Sequence, residues 1–296
     1  MTIVQVRHGF TEVAGVRVFH REAGPPDAPV VLLLHGFPSA SHQYRRLMEV
    51  LGTRYRLIAP DLPGFGHTEV PAGFTYTFDR LSEVVEDFCV AHGLDRFAMY
   101  VFDYGGPVGF RMAVRHPGWI TDLVVQNSNA YEEGLTELAR GFIASRREDV
   151  SAIREVLTLE ATRGQYEGGT GDVSVVAPDG WILDQYFLDL PGREEIQIDL
   201  ALDYKSNVER YPEWHEYLRR HQPRTLILWG VNDPFFGADG AEAYLRDLPD
   251  ARLHLFDTGH FALEEKLPQM APLIDEFLGG QEVAARANGS TAGAPA

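Results

Sequence analysis

The stretch that decides the fold is Val101-Phe102-Asp103-Tyr104-Gly105-Gly106. The run Phe-Ala-Met-Tyr-Val at residues 97–101 has the length and apolar character of a buried strand. After the stretch, residues 105–116 read as a helix that Pro117 stops. A strand that turns sharply into a helix, with small residues after the turn, lifts one side chain clear of the sheet. Here that side chain is the carboxylate of Asp103. An acid at a helix start is stabilising in its own right, so its chemical meaning depends on partners elsewhere.

Those partners stand at the ends of other apolar runs. Residues 30–34 are continuously apolar, as in a parallel strand buried on both faces, and lead into His35-Gly36-Phe37-Pro38. Residues 55–59 precede Asp61-Leu62-Pro63-Gly64-Phe65-Gly66-His67. Residues 225–228 end in Trp229-Gly230-Val231-Asn232-Asp233-Pro234, and residues 252–256 end in Asp257-Thr258-Gly259-His260-Phe261. Asp103, Asp233 and His260 thus follow one another as nucleophile, acid and histidine. Residues 123–126 form a further strand, and Asn127-Ser128-Asn129 follows it, so no acid stands at that alternative position.

On these motifs the chain resembles the α/β-hydrolase superfamily. Within it the chain resembles the aspartate-nucleophile branch of epoxide hydrolases and haloalkane dehalogenases, over residues 13–278. The resemblance implies an α/β-hydrolase fold, a mostly parallel central sheet flanked by helices with an inserted helical cap. It also implies catalytic roles for Asp103, Asp233 and His260, and an oxyanion hole built from the backbone N–H groups of Phe37 and Tyr104.

The organisation agrees. Residues 11–22 alternate around Ala14-Gly15, which predicts an opening hairpin. Strands and helices then alternate to residue 126, and the rhythm breaks between 130 and 222. The reading is a core of residues 1–129 and 223–278 and a cap of 130–222. In that cap, residues 133–145 and 208–220 are helical and 164–180 are Gly-rich. Residues 279–296, rich in Ala, Gly, Ser and Pro, are expected to be a disordered tail.

Composition excludes several partners. The formal net charge of −17 argues against nucleic acid or an anionic membrane, both of which call for basic patches. No segment is long and apolar enough for a membrane span, and the first ten residues carry no secretory pattern. Cys89 is the single cysteine, which fits a reducing cytoplasm, and it lies beside the apolar stripe Leu81, Val84, Val85, Phe88 as a packed side chain. There is no metal-ligand cluster and no phosphate-binding loop, so no cofactor is expected. The four tryptophans, Trp119, Trp181, Trp214 and Trp229, read as packing residues, and a cap tryptophan lining the pocket stays open.

An aspartate nucleophile narrows the chemistry. A free aspartate, with a pKa of about 3.9, is already ionised at neutral pH and needs no base to activate it. Attack on an acyl carbon would give an anhydride; attack on a saturated carbon gives an ordinary ester if a leaving group departs or a strained ring opens. Water deprotonated by His260 would then cleave the ester, with Asp233 orienting the imidazole. No Gly-x-Ser-x-Gly occurs, and Ser39, Ser41 and Ser128 stand on no such turn, which argues against a conventional serine esterase. The substrate is expected to be a small, apolar molecule, with water as the second reactant.

The leaving group separates the two branches. The dehalogenases place a Trp after the nucleophile and an Asn or second Trp elsewhere; this chain has Tyr104 and Phe37 at those places. Dehalogenases of the fluoroacetate type carry arginines where Tyr104 and Pro107 stand. Epoxide hydrolases use cap tyrosines as proton donors, and Asp203-Tyr204-Lys205-Ser206-Asn207 resembles the segment carrying one. Tyr131, Tyr166 and Tyr186 stay open as a second donor. The resemblance favours epoxide hydrolysis, although epoxide hydrolases usually carry Trp where Tyr104 stands. Dehalogenation is the alternative, and a small-molecule binding or non-hydrolytic member of the fold is the alternative of another class.

Overall fold

The computed structural model describes residues 4–289. Eight strands, β1 (Arg7–Val13), β2 (Val16–Ala23), β3 (Val30–Leu34), β4 (Arg56–Pro60), β5 (Phe97–Phe102), β6 (Ile120–Gln126), β7 (Arg224–Gly230) and β8 (Arg252–Phe256), form one sheet in the order β1-β2-β4-β3-β5-β6-β7-β8. The first three strands in that order pair antiparallel, and every later pairing is parallel. The predicted hairpin is β1–β2, turned by Ala14 and Gly15 with φ of 49° and 77°.

Period-two alternation along the central strands feeds two cores. Leu32, Leu34, Met99, Val101, Val125 and Ile227 face one side of the sheet. Val31, Leu33, Tyr100, Phe102, Val124 and Leu228 face the other. On the first side pack α2 (Phe78–Ala91), α3 (Gly105–Arg115) and α10 (Ala238–Asp247). On the second side pack α1 (Arg45–Leu51) and α11 (Ala262–Gly289). Cys89 is fully buried in the first core, and burial raises its thiol pKa, as expected of a packing residue.

Between β6 and β7 the chain leaves the sheet for six helices: α4 (Glu137–Ile143), α5 (Ser151–Glu155), α6 (Leu159–Glu167), α7 (Asp179–Leu188), α8 (Arg193–Asp203) and α9 (Lys205–His221). Residues 133–145 are helical over a shorter span than expected, because Thr136 caps the start of α4 with its hydroxyl on the Ala139 N–H. The Gly-rich stretch contains the end of α6, a single 3₁₀ turn and the start of α7.

The expected disordered tail begins at 279, but residues 279–289 continue α11. The stretch from Gln281 to Asn288 is rich in good helix formers such as Ala, Glu and Arg, which outweigh the two glycines before it. Residues 290–296 lie outside the described residues. Among the described residues no helix is long and apolar enough to cross a membrane, and no group of three or more acidic, His or Cys side chains is arranged to hold a metal ion.

Candidate active site

All the sequence-predicted polar groups of the core gather at the carboxyl edge of the parallel strands, where open α/β sheets place their ligands. Phe37 follows β3, Asp103 follows β5, Asp233 follows β7 and His260 follows β8.

Asp103 sits at a φ of 45°, a left-handed conformation that costs an ordinary residue energy and that Asp tolerates better than most. The neighbouring glycines explain how it is held there. A Cβ on Gly36 would lie 2.3 Å from the Asp103 side chain, and one on Gly105 would lie 2.1 Å from the Leu34 carbonyl oxygen. Ser128 Oγ donates to the Asp103 carbonyl at 2.9 Å and so braces the turn from β6.

One carboxylate oxygen of Asp103, Oδ1, accepts the Phe37 N–H at 2.6 Å, and the Tyr104 N–H also bonds the carboxylate. The other oxygen, Oδ2, faces His260 Nε2 at 3.8 Å. Burial drives the Asp103 pKa up to about 6, although His260 and the two N–H groups pull against it.

His260 is 1% exposed. Its Nδ1 lies 2.6 Å from Asp233 Oδ2, which fixes the ring with Nε2 toward Asp103. Burial alone would lower the His260 pKa; the facing carboxylate of Asp233, with Asp103 beyond it, overrides that and raises it. Asp233 is itself fixed on both oxygens. Oδ1 accepts the N–H groups of Phe235 and Phe236 at 2.8 and 3.2 Å. Oδ2 accepts Asn127 Nδ2 at 2.8 Å.

Asn127 is a residue that sequence reasoning passed over. Fully buried at a φ of 39°, it also exchanges hydrogen bonds with Gly230, its Nδ2 donating to the carbonyl and its Oδ1 accepting the N–H. The one available signal was an asparagine directly after a buried strand, in a position that needs a left-handed backbone.

Asp103 lines a cavity between the strand ends and the inserted helices. Its lining is mostly apolar, with Phe142 and Ile143 from α4, Ile153 from α5, Val156 and Leu157 after it, and Phe235 from the core. Tyr104 and Tyr204 also line it, with ring centroids 5.8 Å apart. Burial keeps both phenols protonated by raising their pKa well above the usual value.

The segment carrying Tyr204 is pinned to the core on both sides. Asp203 Oδ2 accepts the Phe78 N–H at 2.8 Å. Arg111 of α3 donates to Ser206 Oγ at 2.9 Å and Asn207 Oδ1 at 2.7 Å, and pairs with Asp79 at 2.6 Å. Behind Tyr204 its hydroxyl bonds that of Tyr211, which accepts from Asn129 Nδ2 at 3.3 Å.

None of the tyrosines left open as a second donor lines this cavity. Tyr131 donates to Asp247 at 2.8 Å, Tyr166 donates to Asp184 at 2.5 Å while stacking on Phe261, and Tyr186 is exposed. The tryptophans do not line it either; Trp214 stacks on Phe110 and Trp229 donates to the Phe236 carbonyl.

One backbone contact joins the insertion to the histidine turn. A Cβ on Gly259 would lie 1.8 Å from the Gly168 carbonyl oxygen, and one on Gly169 would lie 2.6 Å from Asn232 Cβ. Asn232 Nδ2 also donates to the Gly169 carbonyl at 2.9 Å. Glu265, at the start of α11, accepts the N–H groups of Gly171 and Asp172 at 3.3 and 3.1 Å.

A strand-end acid, an acid-bound histidine and two N–H donors on this sheet define a family. Residues 29–267 match the model of the alpha/beta hydrolase fold, and the chain belongs to that family as a hydrolase. Similar proteins include an uncharacterized hydrolase of Saccharomyces cerevisiae, 40% identical over 88% of this chain and 92% of its own. A haloalkane dehalogenase of Psychrobacter cryohalolentis is 34% identical over 90% and 89%. Epoxide hydrolase 2 of Caenorhabditis elegans is 25% identical over 92% and 79%. Among solved structures, 2-hydroxy-6-oxo-6-phenylhexa-2,4-dienoate hydrolase from Rhodococcus sp. strain RHA1 superposes with a TM-score of 0.79 at 20% identity, covering 93% of this chain and 99% of that one. At that identity the likeness concerns the fold alone.

Proposed function

We propose that this hydrolase opens epoxides to diols through a covalent ester on Asp103, beneath a cap formed by residues 130–222. The observation that carries the reading is the division of labour between the two Asp103 oxygens. Oδ1 rests against the Phe37 N–H, the Tyr104 N–H also bonds the carboxylate, and Oδ2 faces His260.

In the first step Oδ2 attacks a ring carbon and the C–O bond breaks. The departing alkoxide takes the Tyr204 phenol proton. In the second step His260 Nε2 takes a proton from water, whose oxygen adds to the Asp103 carboxyl carbon. The oxyanion that forms is Oδ1, already seated on the Phe37 N–H with the Tyr104 N–H beside it, and one such donor is typically worth roughly 3–4 kcal/mol in the barrier. The intermediate then collapses, the diol oxygen leaves with the proton from His260, and the proton left on the Asp103 carboxyl returns to the Tyr204 phenolate, which restores both residues. Asp233 holds the imidazolium throughout. The resting carboxylate thus occupies the place its ester carbonyl will need, so little reorganisation separates the steps.

Single turnover in ¹⁸O-water tests this. With enzyme in excess, the first diol released should carry no label and Asp103 should gain it. Label in the first diol would mean direct attack by water and would refute the ester.

Dehalogenation is the second reading, favoured by the 34% identity to the Psychrobacter enzyme. Against it, a departing halide needs side-chain donors, and those lining this cavity are two phenols and two glutamine amides, with no tryptophan. Diol and halide measured side by side on an epoxide series and a haloalkane series decide between the two. A binding-only protein would need neither an ionised nucleophile nor a base-bound histidine.

A further inference from the structure

Two glutamines stand out in the cavity. Gln165 of α6 and Gln197 of α8 both line it, at 5% and 2% exposure. Gln197 Nε2 donates to the Gly64 carbonyl at 2.9 Å, and since a carbonyl can only accept, the amide orientation is fixed with Oε1 turned away. That Oε1 has no hydrogen-bond partner among the described residues, and neither has Gln165 Nε2.

A buried amide atom left unpaired is destabilising, because it has given up its water partners and gained none. Two of them, one acceptor and one donor, in a wall that is mostly apolar away from the catalytic groups are costly unless something bonds them.

Their placement gives a direction. Gln197, Ala201 and Tyr204 all line the cavity at a spacing of four and three residues, so one face of α8, carried on by Tyr204 just past its end in helical conformation, supplies all three. At 1.5 Å per residue, Gln197 stands about 10 Å along the helix from Tyr204.

We propose that Gln165 and Gln197 form a polar subsite at the end of the cavity remote from Tyr204. Its ligand is a substrate carrying a group that both donates and accepts, a hydroxyl or a primary amide, about two helical turns from the reacting carbon. This rests on the epoxide reading for the reacting end alone; the recognition of the distal group stands on the glutamines. The substrate is thereby an amphipathic epoxide rather than a plain hydrocarbon one.

The test uses the full chain and two matched probes, 7,8-epoxyoctan-1-ol and 1,2-epoxynonane, in which methyl replaces hydroxyl. Wild type should favour the hydroxylated epoxide in kcat/KM by on the order of 10–100-fold. Gln165→Leu and Gln197→Leu should each bring that ratio toward one. The Gln165 side chain makes no hydrogen bond among the described residues, so Gln165→Leu guards against a folding defect in Gln197→Leu, which strips the Gly64 carbonyl of its partner. Binding of the corresponding products, octane-1,2,8-triol and nonane-1,2-diol, is measured by calorimetry on wild type and both variants. Preferential binding of the triol that both variants lose supports the subsite even if neither epoxide reacts, an outcome that would sink only the epoxide reading. Equal binding of triol and diol by wild type, or a preference that survives in Gln165→Leu, overturns the subsite.

Discussion

Asn127 Nδ2 lies 2.8 Å from Asp233 Oδ2, a bond that ties the end of β6 to the end of β7 inside the protein. The same oxygen accepts from His260, so Asn127 sets where the acid stands and hence how the imidazole is aimed. Asn127→Asp keeps the shape and tolerates the left-handed backbone but places two carboxylates at hydrogen-bonding distance. Like charges there raise the pKa of one of them in the folded state. A folded pKa above the unfolded value means stability present at low pH is lost as pH rises. The variant should therefore be further below wild type at pH 8 than at pH 5 in urea denaturation. Equal deficits at both would show that Asn127 does not face a charge.

Asp103 follows the same sign. Its folded pKa, raised to about 6 by burial, lies above its ordinary value of 3.8, so ionisation becomes a cost as pH rises through that window. Asp103→Asn should be more stable than wild type at pH 8, by on the order of 1–3 kcal/mol, with the gap closing below about pH 4. Ester formation by wild type, followed in a single turnover, should fall as pH drops through about 6. A flat profile would remove the buried carboxylate from the first step.

His260→Gln should let the first step proceed and stall the second, since only ester cleavage needs a base. Intact mass after adding a reactive epoxide should show a one-substrate adduct, mapped to the Asp103 peptide. An adduct on another residue would refute the assignment of the nucleophile. In the ester intermediate Asp103 carries no charge and the Asp233 carboxylate alone favours the imidazolium, so ester cleavage should rise with pH as His260 loses its proton.

Tyr204→Phe should slow ester formation by roughly 10²–10⁴-fold, the usual contribution of a positioned acid, and leave hydrolysis of a preformed ester almost unchanged. Tyr211→Phe removes only the hydroxyl that bonds Tyr204, so its effect on the same step should be about tenfold or less. Similar losses in both would show that Tyr204 has no special place, and single-turnover traces of the two half-reactions decide it.

The core of the site was legible because each of its members stands directly after an apolar run. Strand ends in a parallel sheet converge on one edge, so Asp103, Asp233, His260 and Phe37 could be brought together without knowing a single distance. Asn127 was legible only as a polar residue after a strand, because nothing local distinguishes an amide that ends a strand from one that holds a carboxylate 106 positions away. The inserted helices hid more. Tyr166 and Tyr131 are no less aromatic than Tyr204, yet they turn toward Asp184 and Asp247, and which way a helix faces in a wholly buried segment is set by packing rather than by pattern. The glutamines were invisible for the same reason. Residues 279–289 were misread because composition alone cannot weigh good helix formers that extend an existing helix.

The contact between Gly259 and Gly168 bears on how such proteins can be recombined. Two main chains meet there with no side chain between them, one beside His260 and the other in the insertion. An insertion transplanted from another member of the family would have to bring its own bare backbone to that point. Otherwise the first side chain to arrive would push the histidine turn aside. The insertion and that turn are thus a matched set, and chimeras should take both from one parent, with no single crossover between residues 168 and 259.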